Sequence, residues 1–187
     1  MELLSYLTYK RLFTEEACHS IDEAFTPEII PAGTVIQRAH GYTEKVLFLE
    51  QGLLRTFYLK DGKDVTHFFW DENSLIAPIN SLFNNDSEPY GWESIESCQI
   101  KTIQYRDFLR IEKQFPNLTR FSLDFALQTM HLFSQKLDLL QFQTAYERYQ
   151  LFLKMYPNLQ NRVSLGSTAS FLGVSQQTLS VIRAKQV

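Results

Sequence analysis

The stretch Val163-Ser164-Leu165-Gly166-Ser167-Thr168-Ala169-Ser170-Phe171-Leu172-Gly173-Val174-Ser175-Gln176-Gln177-Thr178-Leu179-Ser180-Val181-Ile182-Arg183 decides how the rest of the chain is read. Ser164 is placed to cap a short helix. Gly173 is placed to end it, because glycine enters a positive-φ turn without a steric penalty. Ser175 then caps a second helix. Ala169, four residues before the glycine, is small enough for the two helices to cross closely, and Leu172, Val174, Leu179 and Ile182 supply the apolar contacts between them. This is a helix-turn-helix pattern, in which the second helix enters a DNA major groove. Ser164, Thr168, Ser175, Gln176, Gln177, Ser180, Arg183 and Lys185 would then lie toward DNA. Gln can read adenine and Arg guanine, while hydroxyls and Lys185 hold phosphates. The competing reading is a polar helical hairpin with no ligand.

Charge separates along the chain in the same sense. From Arg148 onward there are five basic residues (Arg148, Lys154, Arg162, Arg183, Lys185) and no acidic one; residues 1–147 hold the other 13 basic residues and all 21 acidic ones. The net charge of −3 hides this asymmetry. A cationic end suits a polyanion, because neutralising phosphates drives non-specific nucleic-acid binding. Five charges spread over forty residues is also an ordinary solvated surface.

Working outward, a long helix precedes this end, from about Asn117 to Thr144. Pro116 suits its first turn, where the missing N–H costs little. Leu118, Phe125, Leu132 and Leu139 recur every seven residues on one side; Leu123, Met130 and Leu137, joined by Ala126, Phe133 and Leu140, form a second series. A helix with two apolar faces must bury both. Packing one on the same chain and the other on a twin in a dimer satisfies this; a single buried core helix is the alternative. Gln128 and Gln135, on the series through Phe121 and Phe142, are either register-setting contacts or exposed.

Before that helix the pattern is β. Short β-branched and aromatic runs at Thr34–Gln37, Lys45–Glu50, Leu53–Lys60, Lys63–Trp70 and Cys98–Tyr105 are punctuated by Pro31-Ala32-Gly33, Gly41, Gly52 and Asp61-Gly62. Asp61-Gly62 signals a type I′ hairpin, since both central residues need positive φ. A two-residue loop there places Tyr58 opposite Val65 and Leu54 opposite Phe69. Several short strands at this spacing predict a closed sandwich or roll. Residues 1–26 read as helical, with Thr14 capping a start rich in acids.

The whole chain has 187 residues, 44% hydrophobic and 21% charged, so it can bury a real core in one or two domains. Disordered, collagen-like and disulfide-stapled classes are excluded. No run of about 18 apolar residues predicts a membrane span, and the N-terminus has no signal-peptide pattern, so a cytoplasmic location is expected.

The order roll, long helix, helix-turn-helix resembles the Crp/Fnr superfamily of bacterial transcription regulators, relatives of the catabolite activator protein. The segments that carry the likeness are Pro31-Ala32-Gly33-Thr34, Gly52-Leu53-Leu54-Arg55, Asp61-Gly62-Lys63-Asp64, Ala145-Tyr146-Glu147-Arg148-Tyr149, Ala169-Ser170-Phe171-Leu172-Gly173-Val174-Ser175 and Thr178-Leu179-Ser180-Val181-Ile182-Arg183. They span nearly the whole chain and look most like the short regulators common in Bacteroidetes. The resemblance implies an α+β architecture: a double-stranded β-helix sensor (β-roll) with its N-terminal helix over residues 1–115, a dimerisation helix over 116–145 and a DNA-binding domain over 146–187. It also implies a homodimer on an inverted-repeat operator, with half-sites ~34–36 Å apart, and RNA polymerase as a partner. Those regulators often carry Arg where this chain has Val181, which removes one expected cationic contact.

A second departure concerns the effector. Cyclic-nucleotide binders of the family hold the phosphate with an Arg-Ser/Thr-Ala and the ribose with a Gly-Glu. Residues 71–92 here have no Gly-Glu pair, no Arg or Lys lies between Asp71 and Lys101, and Asp86 and Glu88 would repel an anion. The roll is therefore expected not to take cyclic AMP in the usual manner. A more apolar effector beside Phe68, Trp70, Phe125 and Thr129 is one expectation; aromatics that are only core are the other.

Cys18 and Cys98 are too few for an iron–sulfur cluster, and His19, His40, His67 and His131 lack ligand spacing, so no metal or cofactor is expected. The two thiols serve as sensors only if their surroundings expose and activate them. A cupin-like enzyme would need clustered His and Glu ligands; no such set, phosphate loop or nucleophile elbow is present, and no catalytic residue is assigned. A partner-binding scaffold that has lost DNA binding is a third class.

Overall fold

The computed structural model describes residues 1–185. Two helices, α1 (Leu3–Lys10) and α2 (Glu15–Glu23), lead into eight strands: β1 (Thr26–Ile30), β2 (Val35–Gln37), β3 (Lys45–Gln51), β4 (Leu54–Lys60), β5 (Lys63–Trp70), β6 (Ser74–Ile76), β7 (Gly91–Ser94) and β8 (Cys98–Gln104). A single π-helical turn at Asn80–Asn84 interrupts the run between β6 and β7. Then come α3 (Tyr105–Gln114), α4 (Asn117–Phe142), α5 (Ala145–Met155), α6 (Leu165–Leu172) and α7 (Gln176–Ala184). The strands form two four-stranded antiparallel sheets, ordered β1-β8-β3-β6 and β2-β7-β4-β5. The expected α+β roll, long helix and bihelical corner are all present.

Alternation on β3 shows how the roll is built. Val46 and Phe48 point to a core shared with α1, α2, α3 and the start of α4. Leu47 and Leu49 point the other way, into a cluster that runs from the sheets to Tyr149, Phe152, Phe171 and Ile182. One apolar core is thus continuous from the roll through α5, α6 and α7.

Asp61 (φ 51°) and Gly62 (φ 73°) are both left-handed, as a type I′ turn requires. Tyr58 lies opposite Val65 as expected, but Leu54 pairs with Trp70 and not with Phe69. The ladder slips by one between Thr56 and Phe57, leaving His67 as the extra residue of a β-bulge. Its carbonyl oxygen accepts a hydrogen bond from the Lys136 ammonium on α4. Hairpin chemistry predicts the register only as far as the bulge.

Helix α3 lies outside the elements expected from the sequence: its apolar residues gather on one side of an otherwise polar helix, and only Phe108 among them is buried. Helix α4 stops at Phe142, two residues short of the expected end, because Thr144 leaves the helix to form a capping box with Glu147 at the start of α5.

Candidate functional site

The C-terminal corner matches its sequence signals residue by residue. Ser164 Oγ accepts from the Ser167 amide at 3.0 Å and Ser175 Oγ from the Thr178 amide at 3.0 Å, each opening a helix. Gly173 sits at φ 65°, ψ 34°, and its amide closes α6 onto Ser170. Ala169, Leu172, Leu179 and Ile182 are buried between the helices. Ser175, Gln176, Gln177, Thr178, Ser180 and Lys185 are exposed, so the polar side of α7 faces solvent.

Two of the expected contacts sit differently. Thr168 is fully buried and its hydroxyl donates back to the Ser164 carbonyl at 3.0 Å, so it caps its own helix and offers nothing to a phosphate. Arg183 turns inward: its guanidinium lies 5.4 Å from the centre of the Tyr149 ring, and its Nε and Nη2 are buried without partners. Thr178 is an exposed α7 residue outside the expected set; the polar face of the second helix was its signal. Val181 is also exposed, an apolar position on that face.

The charge asymmetry largely dissolves in three dimensions. Arg148 donates to the Gln143, Leu172 and Leu140 carbonyls, each at 3.0 Å, tying the ends of α4 and α6 together. Arg162 forms ion pairs with Glu72 at 2.7 Å and Glu96 at 2.5 Å across the boundary with the roll. Burial pushes the Glu72 carboxyl up, but the Arg162 guanidinium and backbone amides outweigh it and hold it below the usual range. Of the five cations after Glu147, Lys154 and Lys185 alone are exposed.

The corner docks on the roll. Helix α6 lies on β5, where Ser170 Oγ accepts from the Thr66 amide at 2.8 Å, and Phe171 packs 5.3 Å from Phe69 and 6.2 Å from Phe68, centre to centre. Tyr156 donates to the Phe69 carbonyl at 3.2 Å. Lys136, buried on α4, lies 4.3 Å from the centre of the Phe171 ring.

Between the roll and α4 lies a cavity of about 790 Å3, within the ~300–1,000 Å3 usual for small-molecule sites. Trp70, Phe125 and Thr129, three of the four residues expected beside an effector, line it. Phe68 does not: it is fully buried one layer behind, against Phe133, Tyr156 and Phe171. Residues outside the expected effector set also line the cavity, among them Thr56, Glu88, Tyr90, Trp92 and Phe133. Folding brings the 77–90 loop over the open side of the β4–β5 sheet, and local periodicity carries no signal for that. His67 faces the cavity, stacked on Tyr90 with ring centres 3.9 Å apart. Burial, with help from the nearby Lys136 charge, lowers its pKa to about 4. Burial alone lowers that of Lys136 to about 8.

The far side of α4 is apolar and uncovered. Leu123, Leu127 and Leu137 are exposed there, while Leu118, Phe121, Phe125 and Leu139 are buried on the roll side, and Met130 and Phe133, also exposed, line the cavity. Both cysteines are buried, and burial raises the Cys98 thiol further from its reactive form. Among the described residues no group of three His, Cys, Asp or Glu side chains is placed to hold a metal ion, and no helix is long and apolar enough to cross a membrane.

No protein-family model and no curated protein matches the chain. Solved structures do. FixK2 from Bradyrhizobium japonicum superposes with a TM-score of 0.73 at 16% identity, covering 86% of this chain and 83% of its own. The c-di-GMP-responsive global regulator CLP of Xanthomonas campestris gives 0.74 at 13% identity, covering 92% and 91%. A CooA mutant from Carboxydothermus hydrogenoformans gives 0.75 at 15% identity, covering 99% and 84%. At these identities the likeness concerns architecture, and on that ground the chain has the fold of the Crp/Fnr regulators.

Proposed function

We propose that this protein is a sequence-specific DNA-binding transcription regulator that acts as a homodimer and whose DNA binding is modulated by a small molecule held between the roll and α4. The observation that carries the reading is the bihelical corner, with Gln176, Gln177, Thr178 and Ser180 presented to solvent on a helix capped by Ser175. The uncovered apolar side of α4 supports the dimer, because such a stripe over a 26-residue helix is the usual mark of a helix–helix seam. A two-fold axis through paired α4 helices leads to an inverted-repeat operator. RNA polymerase is the partner through which such a regulator acts.

The cavity also bears on the effector. No Lys or Arg lines it, whereas Glu88 and Glu112 do, so a cyclic phosphate would meet like charge and no counter-charge. We infer that cyclic AMP is not the signal.

Selection of bound sequences from random duplex DNA, followed by gel shifts across a salt series, tests the reading. A DNA binder returns an inverted repeat, and its affinity falls as salt rises. With only Lys154 and Lys185 exposed in the C-terminal cationic set, the salt slope is expected to be shallow for the class. Gln177→Ala should weaken binding to the selected site by ~1–3 kcal/mol while sparing random DNA. Failure to enrich any sequence returns the chain to the class of protein-docking scaffolds.

A further inference from the structure

The cavity between the roll and α4 has a charge and a wall that together name a class of guest. Its polar lining includes Glu88, which is only 6% exposed. One carboxylate oxygen accepts from the Ser81 amide at 2.8 Å, but no basic side chain among the described residues pairs with the group. A buried carboxylate without a cation is costly and calls for a counter-charge. The half-buried Glu112 adds a second negative group, and the one imidazole of the lining, His67, is neutral near pH 7. The walls are largely aromatic, with Trp70, Tyr90, Trp92 and Phe133 among the lining residues. Such surfaces attract cations through the ring quadrupole. Two further polar atoms, Thr56 Oγ1 and Trp70 Nε1, are buried without any hydrogen-bond partner, and both residues line the same space. Unsatisfied buried groups of this kind are rare without a ligand or water to meet them.

We propose that this cavity binds a lipophilic organic cation, with Glu88 as counter-ion, the aromatic walls around its apolar body, and Thr56 and Trp70 available to its polar substituents. The inference rests on the reading of the cavity as the effector site only for its effect on DNA; binding itself is measurable without DNA.

Trp70 and Trp92 are the only tryptophans in the chain and both line the cavity, so intrinsic fluorescence reports occupancy directly. The full-length protein is titrated with tetraphenylphosphonium and, separately, with tetraphenylborate, ions of matched size and opposite sign. Saturable quenching by the cation, with the anion at least about tenfold weaker, is the expected result. Glu88→Gln keeps an oxygen for the Ser81 amide and removes the charge. It should weaken the cation by about tenfold and narrow or reverse the preference between the two ions. Circular dichroism checks that the variant is folded, and the comparison of the two ions on the unmodified protein does not depend on it. Equal binding of both ions, tighter binding of the anion, or no saturable quenching by the cation overturns the proposal. Adding the cation to the gel shifts separates the two readings. Quenching with unchanged operator affinity keeps the ligand class and removes the regulatory role; DNA binding without quenching removes the ligand class and leaves the DNA-binding reading standing.

Discussion

His67 stands where the β4–β5 ladder slips, and three different neighbours use it. Tyr90 stacks on its ring, Lys136 donates to its carbonyl, and the cavity takes it as part of its lining. Its pKa is pushed down from 6.5 to about 4, chiefly because burial disfavours the imidazolium and secondarily because Lys136 lies close. Between those values the unfolded chain holds a proton that the folded chain refuses, so stability falls as pH drops from 6.5 toward 4. Urea midpoints measured across that window should decline with acid, and His67→Gln should flatten the decline; an equal slope in both proteins would assign the loss to other groups. Gly173 is a second position where one side chain matters. A Cβ there would meet Arg148 Nη1 at 3.3 Å in a backbone conformation at φ 65° that costs other residues ~1–2 kcal/mol. Gly173→Ala should lower stability by about that amount and weaken DNA binding by disturbing the turn that aims α7. A variant with an unchanged urea midpoint would show that the turn tolerates a Cβ.

Helix α4 has two apolar sides, and its heptads divide between the roll and solvent. The seven-residue spacing is local information, since 3.6 residues per turn dictate which side chains share a side. Which side meets the roll depends on the sheet it packs against. Leu123 and Leu137 are 54% and 53% exposed, so acidic replacements there leave the monomer core intact. The double variant Leu123→Glu, Leu137→Glu should sediment as a monomer at micromolar concentration, where the proposed dimer of the unmodified protein should persist. A persistent dimer would place the seam elsewhere. The same logic explains the strand pairing. Asp61-Gly62 specified the hairpin turn and the pairs next to it, but the bulge at His67 answers to its stacking on Tyr90 and its bond to Lys136, which lie far along the chain.

Across the molecule the division into roll, long helix and bihelical corner is a division of chain, not of core. Phe171 of α6 reaches the same cluster as Phe68 and Phe69 of β5, and Arg162 bridges to Glu72 and Glu96 of the roll. Phe133 lines the cavity and packs 4.9 Å from Phe68, which in turn meets Phe171, so a guest in the cavity touches the packing that seats the corner. A shared core predicts one cooperative transition. Tryptophan fluorescence, which reports the roll, and far-UV dichroism, weighted to the helices, should give coincident urea curves. Separated midpoints would show that the docked corner melts independently.

The bihelical corner, the type I′ hairpin and the two faces of α4 follow from neighbours within about four residues, because capping, positive-φ turns and helical periodicity are local effects. The inward turn of Arg183, the consumption of Arg148 and Arg162 by carbonyls and carboxylates, the burial of Thr168 and Phe68, and the pairing-free Glu88 beside the cavity are different in kind. Each depends on which surface is brought against it from far along the chain, and desolvation acts only once that surface arrives.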